Sequence, residues 1–544
     1  MKKFVSIIMI LSLMLSVAAC GNETETAQND TTAESTDNKD TDEKTGGTES
    51  QSSDLPETYV SEEPLELTLH MHFRNAYAYN EEWPVFKEAE RLTNVSLKGV
   101  APTSATDTQE VFNLLMVSGD LPDIVEGNNL RDDFIKYGME GAFIPLEDLI
   151  AEHAPNIQKF IDEHPYVQTY SSGPDGHMYY IPYVPDGSVG KGYFIRKDWL
   201  DKLELEVPKN VDDLYNVLKA FATEDPNGNG QADEIPYFSR HVGENFKDNE
   251  AIRLAHFWGA RTDFFVDDSG KVQHGLVSEE FKEGMINVAK WYEEGLIDPE
   301  IYTRGSKSRD IALGNNIGGM THDWFGSSAS YNTTLAESIP GFEFVAIAPP
   351  ADSKGEVWEE FNRELVKPDG WAITSANENV VETIKYFDFW FTEEGRRLMN
   401  YGIEGEQYDM IDGKPVFKPE VLNGDKSVQA QLWDIGGQVP IGFFQDFDYE
   451  LQTYNDIAAE GAKMYVDNDY VVDAFPLVAF NDEEQKVFDE LNTNIETYMM
   501  ETHQKWILGG ESVEAGWDAY INRLNELGFQ EFVEIHQSAY DRLK

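Results

Sequence analysis

The chain has 544 residues, with 100 Asp plus Glu against 42 Lys plus Arg, a formal net charge of −58, 41% apolar residues and one cysteine, Cys20. That length leaves room for roughly two or three compact units, and 12% aromatic residues can fill large cores, which excludes a chain disordered throughout. The charge excludes nucleic acid as a partner, because that affinity rests on neutralising phosphates with Lys and Arg, and one cysteine excludes an intramolecular disulfide or a multi-cysteine zinc site.

Residues 1–19 read as a secretory leader: Met1-Lys2-Lys3, an apolar run from Phe4 to Leu15, then Ser16-Val17-Ala18-Ala19 before Cys20. The run is shorter than the roughly 20 residues that span a bilayer, so it predicts a cleaved leader, not a lasting transmembrane anchor. Val17-Ala-Ala-Cys20 resembles the lipobox of bacterial lipoproteins, which makes Cys20 the expected lipidation site and the attachment to the membrane. Residues 20–63 are rich in Thr, Ser, Asn, Asp and Glu and carry 13 acidic against 2 basic side chains from Gly21 to Glu63. Such a segment cannot bury enough apolar surface to offset chain entropy, and it reads as an acidic disordered tether.

From Pro64 the pattern becomes α/β. Leu65-Glu-Leu67-Thr-Leu69-His-Met71-His-Phe73 alternates as a strand, Glu82 to Leu92 has helical spacing, and Val95 to Val100 is a second strand. A short helix over Val111–Met116 precedes a Gly and Pro turn and a strand ending at Val125, and Gly141 to Ile150 enters another helix. Tyr193–Ile195 and Phe342–Ala348 read as buried strands, and Lys197–Leu203 as a helix. Ser278 caps a helix reaching Gly295 with Phe281, Met285, Val288 and Trp291 on one face, and Ser512 and Gly528 bracket another that holds Trp517. This spacing assigns Trp291 and Trp517 to the core. His70 and His72 point the same way along the first strand; with no third ligand nearby they read as hydrogen-bonding residues, not metal ligands.

Between these elements lies one motif with a metal's spacing, over 225–236. Asp225, Asn227, Asn229 and Asp233 occupy loop positions one, three, five and nine, Gly230 occupies six, and Gln231 at seven offers its carbonyl. Hard Ca²⁺ takes six to eight oxygens about 2.3–2.6 Å away, a set that alternating Asp and Asn supply around a glycine turn. Position twelve is Pro236, so Glu234 replaces the usual bidentate Glu and the expectation is an atypical, structural calcium loop.

Ser118-Gly-Asp-Leu-Pro-Asp123, Asp175-Gly-His-Met-Tyr-Tyr-Ile-Pro182, Phe194-Ile-Arg-Lys-Asp-Trp-Leu200, Tyr401-Gly-Ile-Glu-Gly-Glu-Gln-Tyr408 and Ala539-Tyr-Asp-Arg542 occur in that order. Together they resemble the long extracellular family 1 solute-binding lipoproteins of carbohydrate ABC importers, and the calcium loop resembles that of the bacterial alginate-binding proteins. The resemblance implies a type II periplasmic-binding-protein fold: two α/β lobes joined by hinge crossings, with a ligand cleft between. It implies crossings near Gly192–Ile195, Pro368–Thr374 and Val439–Phe444. Lobe one is then discontinuous, 64–192 with 375–440, and lobe two is 193–374 with 441–544, including the calcium loop.

Sugars present apolar C–H faces and a ring of hydroxyls, so their clefts pair aromatic platforms with hydrogen-bonding groups. Trp371 and Trp324 lead the candidates because Gly and Asp flank them, followed by Trp258, Tyr401 and Tyr408; Asp323, Glu404, Arg196 and Arg240 are the polar candidates. The expected protein is not an enzyme. It is a monomer on the outer face of the cytoplasmic membrane that hands an oligosaccharide to permease transmembrane subunits. The alternatives are a polysaccharide hydrolase or lyase, and a sensor or adhesin without a permease. Net acidity opposes a uronate ligand, although a local Arg cluster overrides net charge.

Overall fold

The computed structural model describes residues 58–240, 249–361, 363–424 and 426–544, so the leader, Cys20 and the tether through residue 57 lie outside the described residues. Two main sheets are built from β1 Leu65–His70, β2 Val95–Gly99, β3 Ile124–Gly127, β4 Ile181–Pro185, β5 Lys191–Arg196, β6 Ile235–Tyr237, β7 Gly318–Trp324, β8 Phe344–Ile347, β9 Gly370–Ile373 and β10 Phe443–Gln445. The first sheet is six-stranded in the order β10-β4-β9-β3-β1-β2, and the second is four-stranded, β8-β5-β7-β6. In the first, β1 runs parallel to β2 and β3, and β9 inserts antiparallel between β3 and β4. In the second, β5 is antiparallel to both β7 and β8.

Local chemistry explains the elements. Leu67 and Leu69 of β1 point into the core as the alternation requires. Helix Pro84–Thr93 starts with proline at its first turn, where no N–H is needed, and buries Val85, Phe86, Ala89 and Leu92 on one face. Ser278 caps Glu279–Glu293 by accepting a hydrogen bond from the Phe281 N–H at 3.1 Å, and Trp291 is buried on that helix's inner face. Ser512 caps Val513–Glu526, but Gly528, at φ 92°, opens the next helix, Phe529–Asp541, where the sequence reading had it closing the previous one.

Each sheet nucleates its own core. The first gathers Leu67, Ile181, Trp371, Trp390 and Phe443; the second gathers Trp199, Phe221, Trp291, Trp506 and Trp517. The C-terminal helices Asp482–Ile507, Val513–Glu526 and Phe529–Asp541 belong to the second core. Among the described residues no helix is long and apolar enough to cross a membrane.

All three expected crossings move. Gly370–Ile373 and Phe443–Gln445, placed by the sequence reading in lobe two, are β9 and β10 of the first sheet. Likewise Gly192–Ile195 is no crossing but the body of β5. The passages between sheets are 186–190, 348–369 and 446–455. The reason is that turn-like Gly and Pro residues mark where a chain bends, whereas membership of a sheet is decided by which edge the following apolar run pairs with.

Five buried histidines carry a common consequence. Burial pushes His70, His256, His274 and His536 down to about 4 and His503 down to about 3, from an ordinary value of 6.5. The fold therefore holds these rings neutral. Their contribution to stability is intact above pH 6.5 and is withdrawn as pH falls toward about 4. The thermal midpoint should drop steeply across that window, and His503→Gln should flatten part of the drop when midpoints are followed against pH by calorimetry.

Candidate functional site

A cleft of about 740 Å³ lies between the two sheets, lined by Tyr183, Trp433 and Gln438 from the first lobe and by Lys191, Arg253 and Trp324 from the second. Each lobe brings an aromatic ring and a cation together. In the second lobe, Trp324 at the end of β7 pairs across the strands with Lys191 at the start of β5, and the Lys191 ammonium lies 5.5 Å from the indole centroid. Trp324 is 36% exposed, an unusual state for so large a ring and one that leaves a flat apolar surface open to the cleft. In the first lobe, the Arg74 guanidinium carbon lies 5.9 Å from the centroid of Trp433. Trp433 is fixed by its Nε1–H donating to the Gln438 carbonyl at 2.9 Å and by an edge contact with Tyr77.

Amides extend the first platform. Gln445 Nε2 donates to Gln438 Oε1 at 2.9 Å, and Gln438 Nε2 donates to Asn400 Oδ1 at 3.0 Å. Two further ion pairs stand in the wall: Arg363 is bidentate on Glu450 at 2.8 and 2.7 Å, and Arg261 meets Glu360 at 3.3 Å. Aromatic faces flanked by cations and fixed amides suit a polyhydroxylated ring, whose C–H face stacks while its hydroxyls hydrogen-bond.

Behind Lys191 and Arg253 sits a fully buried cluster. His322 Nδ1 meets Glu250 at 2.8 Å and His322 Nε2 meets Glu359 at 3.2 Å. Arg253 meets Glu250 at 3.1 Å and Glu359 at 3.2 Å, and Lys191 meets Glu250 at 3.4 Å. Burial alone would raise the Glu250 carboxyl, yet His322, Arg253 and Lys191 hold it below its ordinary range. Burial alone would depress His322, and Glu250 and Glu359 outweigh it and raise it.

The sequence candidates divide. Trp324 lines the cleft. Asp323 is buried beside it, held by Arg240 at 2.8 and 2.9 Å and by Arg309 at 3.0 Å, so Asp323 and Arg240 form a supporting pair. Trp371 does not reach the cleft: as a β9 residue it is 0% exposed and stacks on Phe387 at 4.1 Å. Trp258 packs edge-on against Trp291 in the second core. Arg196 is buried between the rings of Trp199 and Phe342 and paired with Asp198. Tyr401 and Tyr408 close a satellite core with Phe417 and Tyr449, and Glu404 stands exposed in the turn between them. His72 bonds Thr108 Oγ1 at 3.0 Å, a hydrogen-bonding role as expected, whereas both ring nitrogens of His70 are buried without a hydrogen-bond partner. Among the cleft residues missed by the sequence reading are Arg74, Lys191, Arg253 and Trp433. Trp433 carried the same kind of signal as Trp371, a neighbouring Asp and Gly, here Asp434 and Gly436.

The 225–236 loop has the turns a cation-binding loop needs. Asp225 Oδ2 accepts from the Gly230 N–H at 3.0 Å, Asn227 Oδ1 from the Asn229 N–H at 2.9 Å and Asn229 Oδ1 from the Gln231 N–H at 2.7 Å. Asn227 and Asn229 both donate side-chain N–H bonds to Asp233. Among the described residues no three His, Cys, Asp or Glu side chains converge as metal ligands. The donor set is a mixture, with Asn amide oxygens and backbone carbonyls beside the carboxylates. Asp225 Oδ1 and Glu234 Oε1 are buried without a hydrogen-bond partner. Burial raises the Glu234 carboxyl, and Asp233 and Asp225 push it further the same way. Unpartnered, mutually repelling carboxylate oxygens fit a hard divalent cation.

A model of the bacterial extracellular solute-binding protein family matches residues 76–397. The chain belongs to that family. The fructooligosaccharide ABC transporter substrate-binding protein FusA of Streptococcus pneumoniae serotype 4 is 30% identical over 458 residues, 80% of this chain and 83% of FusA. The crystal structure of alginate-binding protein AlgQ2 without calcium ion aligns with a TM-score of 0.72 at 48% identity, over 89% of this chain and 100% of that one. The structure of S. pneumoniae FusA in complex with kestose aligns with a TM-score of 0.68 at 26% identity, over 88% and 99% of the two chains. The type II fold with two α/β lobes is thus shared with solute-binding proteins of known structure.

The placement of the two tryptophans separates core from cleft experimentally. Trp371→Ala should cost about 3–5 kcal/mol of stability in denaturant unfolding, the scale for an aromatic removed from a packed core, whereas Trp324→Ala should cost under about 1 kcal/mol.

Proposed function

We propose that this solute-binding protein captures an oligosaccharide in the cleft and delivers it to the membrane subunits of an ABC importer. The observation that carries this reading is the pair of aromatic–cation platforms, Trp324 with Lys191 and Trp433 with Arg74, one on each lobe of a single cleft. Closure of two lobes around a ring buries both its faces, which a single platform cannot do. FusA and AlgQ2 bear names that denote fructooligosaccharide and alginate binding, and both support a carbohydrate ligand. Binding and release need no catalytic group, and the family and relatives that this chain matches are binding proteins, which supports transport over cleavage. The protein acts as a monomer on the outer face of the cytoplasmic membrane, tethered through a lipid on Cys20; Val17-Ala-Ala-Cys20 and the acidic spacer after it support that anchor.

Asp225, Asn227, Asn229, the Gln231 carbonyl, Asp233 and Glu234 would hold a structural Ca²⁺, which supplies positive charge that joins the loop's acidic oxygens. Support comes from the two unpartnered carboxylate oxygens and from relatives, one solved without calcium and another as an EF-hand mutant.

Thermal unfolding of the chain with calcium present, across neutral and acidic oligosaccharides, tests the transport reading. A true ligand at about 100 times its dissociation constant should add about 2.7 kcal/mol and be recovered uncleaved, and Trp324→Ala should weaken its binding at least about tenfold. Recovery of the stabilising glycan as shorter products would replace transport by catalysis. Separately, a chelator should lower the unfolding midpoint and calcium should restore it. Asp225→Ala should remove that response, and an unchanged midpoint in both wild-type conditions sinks the calcium assignment.

A further inference from the structure

The binding platform of the second lobe does not stand alone. β5 and β7 pair so that Lys191 lies opposite Trp324 and Tyr193 opposite His322. Side chains two apart on a strand share a face, so His322 and Trp324 belong to one surface that runs from the interior to the cleft. At its inner end His322 touches a carboxylate with each ring nitrogen, Glu250 at 2.8 Å and Glu359 at 3.2 Å. Those two carboxylates in turn hold the cations that line the cleft floor, Lys191 through Glu250 and Arg253 through both.

We propose that the buried Glu250–His322–Glu359 unit positions Lys191 and Arg253 on the cleft floor, so that His322 is a positioning residue for ligand binding and sets its dependence on pH. The inference rests on the cleft being the glycan site. A neutral imidazole has one donor and can serve one of the two carboxylates, while the imidazolium serves both. With His322 charged, three cations, Lys191, Arg253 and His322, face two carboxylates; without that proton the cluster is neutral overall, and one carboxylate loses its imidazolium donor and keeps only Arg253, or Arg253 and Lys191, as its cations. Losing a charge-assisted contact at a buried carboxylate is costly, and Lys191 and Arg253 are the remaining cations able to answer it by drawing closer. Lys191 and Arg253 would then turn inward, away from the ligand.

Other titratable groups face His322 from every element around it. Tyr193 on β5 lies 4.8 Å from it, ring to ring, and hydrogen-bonds His256 at 2.7 Å. Tyr237 on β6 donates to the Glu250 carbonyl. Burial pushes both tyrosines well above their ordinary 10 and His256 down to about 4, so these three stay neutral where His322 titrates. His322 itself is raised above its ordinary 6.5 by Glu250 and Glu359 despite its burial, so it holds its proton to a higher pH than a free imidazole does.

The test measures the dissociation constant of a glycan that stabilises the wild-type chain, by calorimetry from pH 6.5 upward, for wild type, His322→Gln and Glu359→Gln. In wild type the affinity should weaken about tenfold as His322 loses its proton, the scale of an ordinary coupling between sites. His322→Gln should show the weakened affinity at every pH, with the step gone. Glu359→Gln should move the step to lower pH, because one of the two carboxylates that raise His322 has been neutralised. ¹⁵N-histidine spectra of the wild type should show the His322 ring as imidazolium at pH 6.5, a signature that loss of packing would not mimic. A flat wild-type profile, a neutral ring at pH 6.5, or unaltered affinity in a folded His322→Gln protein would overturn the inference while leaving glycan binding intact. Absence of binding by any wild-type preparation would instead remove the transport reading.

Discussion

The antiparallel register of β5 against β7 is the constraint on which the second half of the site depends. It sets Lys191 beside Trp324 at the mouth of the cleft and Tyr193 beside His322 behind it. A slip of one residue would turn Trp324 and His322 to the opposite face and dismantle platform and ion cluster together. The register is well guarded. Tyr465, on helix Asp456–Asp467, accepts from the Tyr193 N–H at 3.0 Å and donates to the Ile347 carbonyl at 3.0 Å, pinning β5 and β8 from one side. Gly192 is required for the same fit, since a Cβ there would stand 2.5 Å from the Phe325 ring.

What the sequence disclosed follows from the range of each signal. Alternation and helical spacing are local, and β1, helix Glu279–Glu293 and the buried roles of Trp291 and Trp517 were legible from them. The turns of the loop over 225–236 were legible because the Asp, Asn and Gly residues that make them are compressed into one short stretch. The cleft was not, because exposure of an aromatic ring is decided by elements distant in sequence. Trp371 and Trp324 both end or enter turns rich in Gly and Asp, yet β9 is buried on both faces within the first sheet, while Trp324 falls at the open end of β7. Arg196 shows the same limit. Its charge suggested a ligand contact, but two aromatic rings and Asp198 enclose it.

Charge behaves differently in the cleft from the chain as a whole. Acidic residues outnumber basic ones more than two to one overall. On the cleft lining the balance reverses, with Arg74, Lys191, Arg253, Arg261, Arg363 and Lys367 against Asp263, Glu360, Glu364 and Glu450. Net charge governs solubility and long-range steering; local pairing governs what a desolvated ligand meets. The acidity of the chain is therefore no argument about the charge of what the cleft would take, because the cleft lining is built to another rule.

The same wall connects ligand and hinge. Arg363 on the passage 348–369 is bidentate on Glu450 of the passage 446–455, and both residues line the cleft. At the first passage, the Asp186 N–H donates to the Gln445 carbonyl at 3.0 Å, and Gly187 lies so close to the Phe447 ring that a Cβ would stand 2.6 Å from it. Contacts therefore run from the third passage to each of the other two. Three chain crossings linked in this way cannot bend independently, so a change at one is shared by all. A ligand that contacts the Arg363–Glu450 pair acts on the crossings directly, through the walls that the crossings themselves supply. By linkage, a ligand can shift the balance between two lobe arrangements only by as much as it prefers one wall geometry over the other, and a part-buried, bidentate Arg363–Glu450 pair makes the wall geometry at the crossings narrowly defined.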